Sequence, residues 1–406
     1  MKNKILFIGI STILFCSSVA LAGCGDGLAK GTEIPSADIR SEHVYEDGKC
    51  TDCGYVASLW NGEAAYDFES GTGTSEDPYI IANAEQLAFF AKTAENVSFS
   101  GQYIKLNANI DLNGMEWMPI GNDSAFAGNF DGAGHTVSSF KITNPAAYTG
   151  LFGSISGSVS NLKVENFFIG YNIADTSILG STTMACSGGL AGSAGSAEIT
   201  GCSIEKGRLF ITASMGVLYT GGCVGRISAA TKLNNIYADT DIFCEQYGDG
   251  SEVDCGGIAG ASAGTRTGAI IENCFSGGGI EVKTKGENMF TTNSLIKVGG
   301  VVGDMDIGNI SGCATDCNIT ISGKEQKKYL NIGSIAARKD KDFENCFSMD
   351  TQTFIRYSES LDFYNLDYSA QITRMTPEGV KTQLQLLWDS QIWSFDGTAP
   401  KLKLFL

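Results

Sequence analysis

One five-residue pattern recurs along this chain and limits what the chain can fold into. Gly188-Gly189-Leu190-Ala191-Gly192 returns as Gly221-Gly222-Cys223-Val224-Gly225, as Gly256-Gly257-Ile258-Ala259-Gly260 and as Gly299-Gly300-Val301-Val302-Gly303. A worn copy, Ile332-Gly333-Ser334-Ile335-Ala336, follows, and an earlier one stands at Gly150-Leu151-Phe152-Gly153. Offsets between the later copies are 33, 35, 43 and 33 residues. A second signal keeps step: Gly201-Cys202-Ser203-Ile204, Asn235-Ile236-Tyr237, Asn273-Cys274-Phe275, Gly312-Cys313-Ala314 and Asn345-Cys346-Phe347. Two signals in one register define a repeat array.

Within each unit, short apolar runs alternate with polar residues and end in Gly, Ser, Asn or Asp, which reads as strand and turn. No unit holds an amphipathic stretch long enough for a helical-pair repeat. So small a unit buries no apolar face alone, whereas rungs stacked about 4.8 Å apart share backbone hydrogen bonds and one core. The expectation is an all-β solenoid with glycines stacked where the coil turns. Cys202, Cys274, Cys313 and Cys346 then fall in one interior column, with Ile236 or Asn235 filling the rung that lacks a cysteine. Cysteine packs there as a small hydrophobe.

Composition agrees. The chain has 51 glycines against 6 prolines, which fits many tight turns and neither collagen nor a flexible linker. A formal charge of −17 repels nucleic acid and anionic lipid headgroups, so neither is expected as a partner.

The motifs resemble a known family. Gly150-Leu151-Phe152-Gly153 and the Gly-Gly-Leu-Ala-Gly copies resemble the GLUG motif of bacterial surface proteins. Upstream, Gly73-Thr74-Ser75-Glu76-Asp77-Pro78-Tyr79-Ile80-Ile81 is similar to the lead-in segment of such arrays, and Phe130-Asp131-Gly132-Ala133-Gly134-His135-Thr136-Val137 to the turn of their first rungs. The resemblance implies a right-handed parallel β-helix over roughly residues 65–403, found in adhesins and in accessory regions of secreted proteases. It makes His135 a turn residue. Cys223 replaces the motif leucine, and the last copy has lost its first and last glycines.

Open solenoid ends invite edge pairing and need covers. Asn83 N-caps a predicted helix through about Glu95, with Leu87, Phe90, Ala91 and Ala94 on one face. Thr376-Pro377-Glu378 starts a second helix carrying Leu384, Leu387 and Trp388, and the tail from Ile392 to Leu402 reads as a closing hairpin.

At the other terminus, Lys2 and Lys4 precede an apolar run from Ile5 to Ala20 that suits a signal sequence and is too short for a permanent span. Leu21-Ala22-Gly23-Cys24 resembles the bacterial lipobox, which implies cleavage before Cys24, acylation of its thiol and an outward-facing membrane anchor. Ordinary cleavage after Ala22 is the alternative, since Ala20-Leu21-Ala22 also reads as a cleavage site. The domain reading is therefore a signal peptide over 1–23, a flexible stalk over 24–42, a small module over 43–64 and the capped array over 65–403. In the module, His43 and the pair Cys50 and Cys53 form a C-x-x-C knuckle that suits a disulfide, a free dithiol, a metal half-site or a structural turn. A complete structural metal site needs a fourth ligand, and no second C-x-x-C exists.

Three functions compete. The first is a non-catalytic surface protein that binds an extracellular glycan or protein, with loops expected at 240–254 and 277–297 as carriers of specificity. The stretch 354–368 is rich in aromatics, and Tyr357, Phe363, Tyr364 and Tyr368 are candidate ligand-stacking rings, with packing of the C-terminal cap as the competing role. The second is a polysaccharide lyase or hydrolase, for which Asp239 with Asp241, or Asp304 with Asp306, are the available acidic pairs. The third, a calcium-stabilised module, lacks the clustered acidic pattern that calcium requires. The sequence implies no cofactor and assigns no catalytic residue.

Overall fold

The computed structural model describes residues 60–406, apart from 175, 180–183, 215, 229, 247–251, 263–267, 285–294, 324–329 and 340, together with the backbone of two short strands near the N-terminus. Those strands, Tyr45–Glu46 and Lys49–Cys50, form an antiparallel hairpin in which Tyr45 pairs with Cys50. Cys24, His43, Cys53, the signal peptide and the stalk lie outside the described residues.

The glycine repeats organise the rest. Met184–Gly188, Val217–Gly221, Glu252–Gly256, Leu295–Gly299 and Leu330–Gly333 pair in parallel as successive members of one sheet. Just past each Gly-Gly step, Ala191–Gly195, Val224–Ser228, Ala259–Ser262, Val302–Met305 and Ala336–Lys339 do the same in a second sheet. A third, larger sheet takes the remainder of each repeat, including the long strands Glu198–Ala213, Lys232–Gln246 and Phe275–Thr284. The protein is thus mostly β, and each repeat stacks on the next through parallel pairing in all three sheets. The worn copy enters one residue later than motif alignment places it: Gly333, not Ile332, pairs with Gly299.

The second repeat signal marks a left-handed backbone turn. Gly201, Asn235, Asn273, Gly312 and Asn345 all have φ between 51° and 63°, a conformation that glycine and asparagine adopt at low cost. The residue after each turns inward. Cys202 pairs with Ile236, and Cys274, Cys313 and Cys346 continue the same fully buried column. All are free thiols. Burial pushes the Cys202 thiol up to about 12, so the column is apolar packing.

Both predicted helices form, but only one covers an end. Ala84–Ala94 starts where the Asn83 side chain accepts from the Gln86 amide at 2.9 Å, and it sets Phe90 against Phe126 and Phe130 of the first rungs. The helix Pro377–Leu387, capped by Thr376, and the hairpin of Trp393–Ser394 with Lys401–Leu402 lie instead along the flank of the stack. Their Val380, Leu384, Trp388, Trp393 and Phe395 cover an outward column formed by Tyr237, Phe275, Ala314 and Phe347. Trp388 Nε1 donates to Gly312 O at 2.8 Å, Trp393 Nε1 to Asn235 Oδ1 at 3.0 Å, and Lys401 Nζ to Glu205 at 2.9 Å. The tail therefore runs back over successively earlier repeats. The last rung is closed by residues 354–372, whose Phe354, Phe363, Leu366 and Ile372 join the main core.

Candidate functional site

Of the predicted loops at 240–254 and 277–297, residues 240–246, 252–254, 277–284 and 295–297 are strand, and 247–251 and 285–294 lie outside the described residues. Lys232–Gln246 and Phe275–Thr284 reach into them as far as Gln246 and Thr284, with Ile242, Cys244, Ile280 and Val282 inward and Asp241, Phe243 and Glu281 outward. Tyr247, Asp249, Lys285 and Phe290 lie outside the described residues. What these strands build is an outer face in strict register. One column reads Arg208, Asp241, Gly279, Asn318, and the next reads Phe210, Phe243, Glu281, Thr320.

A groove of about 440 Å³ opens across these two columns. Phe210 and Phe243 stack with ring centroids 4.4 Å apart and planes 8° apart, and both are part-exposed. Arg208 and Asp241 are exposed on the rim. Gly279 leaves its rung without a side chain between Asp241 and Asn318; a Cβ there would meet only Asp241 Oδ1, at 3.6 Å. Glu281 accepts from Ser322 Oγ at 2.8 Å, one rung further along. Beside it, Lys283 pairs with the buried Glu245 at 3.3 Å. An aromatic surface ringed by a few fixed polar groups is a binding geometry.

A second cluster lies where the two smaller sheets meet. Lys297 is 3% exposed and its ammonium lies 3.2 Å from Asp254 and 2.9 Å from Asp304, with Glu252 also bonded to it. Arg338 closes the group, bonding Asp304 at 2.6 Å and Asp306 at 2.8 Å. Burial alone depresses the Lys297 pKa, but Asp254 and Asp304 outweigh it and hold the ammonium charged well above the usual lysine range. The ammonium also fills the position between Glu252, Asp254 and Asp304 that a cation would take.

Neither a family model nor a curated protein matches this chain. A solved structure does. The crystal structure of a proposed immunoglobulin A1 protease from Bacteroides ovatus aligns over 83% of this chain and 95% of its own, with a TM-score of 0.55 and 21% identity. The likeness is one of fold.

The other sequence candidates separate on burial. Phe363 is 4% exposed inside the core and presents no ring to a ligand. Tyr357 packs half-buried against the same core. Tyr368 is 37% exposed, edge-on to Phe343 and beneath the Lys339 ammonium, while Tyr364 is 78% exposed beside Phe363. These four form no common platform. Asp304 and Asp306 are spent on Arg338, and His135 stands just before the strand Thr136–Ser138, its Nδ1 3.3 Å from Asn109 Oδ1. Sequence reasoning passed over Phe210 and Phe243, although their separation of 33 residues is the repeat period itself.

Proposed function

We propose that this chain is a non-catalytic bacterial surface lipoprotein, anchored through acyl chains on Cys24, whose repeats form a right-handed parallel β-helix of the GLUG-motif kind and bind an extracellular glycan or protein. Parallel register in three sheets and the shared fold with the Bacteroides ovatus protein support the helix. The binding role rests on one observation, the groove in which stacked Phe210 and Phe243 meet Arg208, Asp241 and the bare Gly279. Rigid strands hold these groups, so little ordering entropy opposes binding. The anchor reading rests on Leu21 to Cys24. Among the described residues no helix is long and apolar enough to cross a membrane.

Retention on an array of host proteins and glycans tests this reading, run beside turnover of pooled polysaccharides and of immunoglobulin A. The expected result is retention with no new reducing ends and no peptide cleavage. Turnover of either substrate would move the chain to the alternative, a degradative β-helix enzyme.

A further inference from the structure

The proposed binding role leaves the ligand open, and the rung that carries Gly277-Gly278-Gly279 narrows it. Rungs on either side place Asp239-Thr240-Asp241 and Asp316-Cys317-Asn318 at the same positions. Of the three glycines only Gly278 is demanded by the backbone: its φ is +81°, and a Cβ would lie 2.2 Å from Thr240 O. Gly277 and Gly279 have room for side chains, with nothing closer than 3.5 Å and 3.6 Å. Their bareness serves the surface.

What it opens is a slot one rung high. Adjacent strands lie about 4.8 Å apart, so the strands of Asp241 and Asn318, two steps apart, are separated by about 10 Å with no side chain from Gly279 between them. Phe243 has Phe210 on one face of its ring. On the other side the next residue in its column is Glu281, whose carboxylate is drawn toward Ser322. The phenylalanine ladder thus ends at Glu281, and the slot opens in the neighbouring column, two residues back along the same strand at Gly279.

Resting on the binding role above, we infer that this slot takes one pyranose ring of a neutral glycan, seated over Gly279 and packed against Phe243, the last ring of the neighbouring ladder. The rim decides among ring-shaped occupants. Asp241, Asn318, Thr320 and Glu281 offer acceptors and donors to ring hydroxyls. An aromatic side chain of a peptide would cover them without bonding them, which costs affinity. Charge excludes acidic sugars. Asp241 and Glu281 lie on the groove, Asp239 and Asp316 border it at Gly277, and among the described lining residues Arg208 is the cation opposed to them, Lys283 alongside being paired with Glu245. A uronate would enter an excess of negative charge on a chain whose net charge is −17.

The test is calorimetric titration of the full chain with soluble gluco-, manno-, xylo- and galacto-oligosaccharides, with oligogalacturonates and with an aromatic-rich peptide. Gly279→Val fills the slot while leaving the backbone room, and Phe243→Leu removes the stacking ring; thermal melts accompany both. The expected result is binding of a neutral oligosaccharide, weakened about tenfold or more by either substitution, with the Gly279→Val melting midpoint unchanged. A neutral glycan bound equally by wild type and Gly279→Val would sink the slot and leave the binding role standing. Preference for oligogalacturonate or for the peptide would overturn the ligand class. Failure of every probe here and on the protein and glycan array would overturn both the slot and the binding role.

Discussion

A valine at Gly257, in the bend after Glu252–Gly256, and a valine at Gly279, within Phe275–Thr284, meet opposite surroundings. At Gly257 a Cβ would lie 2.3 Å from Gly300 O on the next rung and 2.7 Å from Ser276 Cβ, so neighbouring backbone must move. Gly257→Val is expected to cost about 1–3 kcal/mol and to lower the melting midpoint clearly. Gly279→Val should shift it little, and equal losses at the two sites would contradict the stacking geometry. Lys297 is the other sensitive residue. Lys297→Met leaves Asp254 buried without its cation and Asp304 with Arg338 alone, an expected loss of about 3–5 kcal/mol by denaturant unfolding. A loss no larger than that of an exposed lysine such as Lys206 would contradict the buried ion cluster. The Gly-Gly pairs were legible because close approach permits no other residue, and so was the cysteine column, because each thiol follows a Gly or Asn turn. The Lys297 cluster was not. Asp254 and Lys297 each stand two residues before a Gly-Gly pair, yet nothing in their local pattern separates a buried polar ladder from a solvated loop.

Among the larger elements, the C-terminal helix and hairpin were legible as pieces and misplaced as a whole. Amphipathic spacing around Leu384 and Trp388 announces a buried face, but it does not say whether the partner is an open end or an outward column. Tyr237, Phe275, Ala314 and Phe347 decided it by standing one rung apart on the outside. Trp388→Ala removes a ring that is 4% exposed together with its bond to Gly312, and should cost about 3–5 kcal/mol. The tail also carries a pH dependence. Burial raises the Glu205 pKa, but hydrogen bonds from Lys401 and Ser203 and the charge of Lys163 outweigh it and leave the carboxyl below its usual range. A depressed folded-state pKa gives stability that is present above the unfolded value and lost as pH falls through the folded one. Wild type and Lys401→Met should therefore differ more in melting midpoint at neutral pH than below the carboxylate range, where the contact of Lys401 with the Tyr237 ring is what remains. A gap of the same size in acid as at neutral pH would remove Glu205 from the docking of this tail. The same limit on sequence reading applies to the groove. Outward residues such as Lys283 made the ends of the long strands look like loops, because outward residues of a wide sheet are as polar as loop residues; the inward alternation of Ile242 with Cys244 and Ile280 with Val282 was the signal that survived.

For the whole molecule, the order of the repeats fixed the architecture more firmly than any single motif. Each rung contacts its neighbours through parallel pairing, so a stretch with a 43-residue offset adds to the stack without disturbing its register. Such a stack is a stiff object on which a surface groove keeps its shape, and it gains a biological setting only if it stands outside the cell. That placement depends on Cys24. The direct measurement is metabolic labelling with palmitate in a bacterial host, comparing wild type with Cys24→Ala. The expected result is label on the wild type and none on the variant; an unlabelled wild type, exported and folded, would contradict the anchored surface protein proposed here.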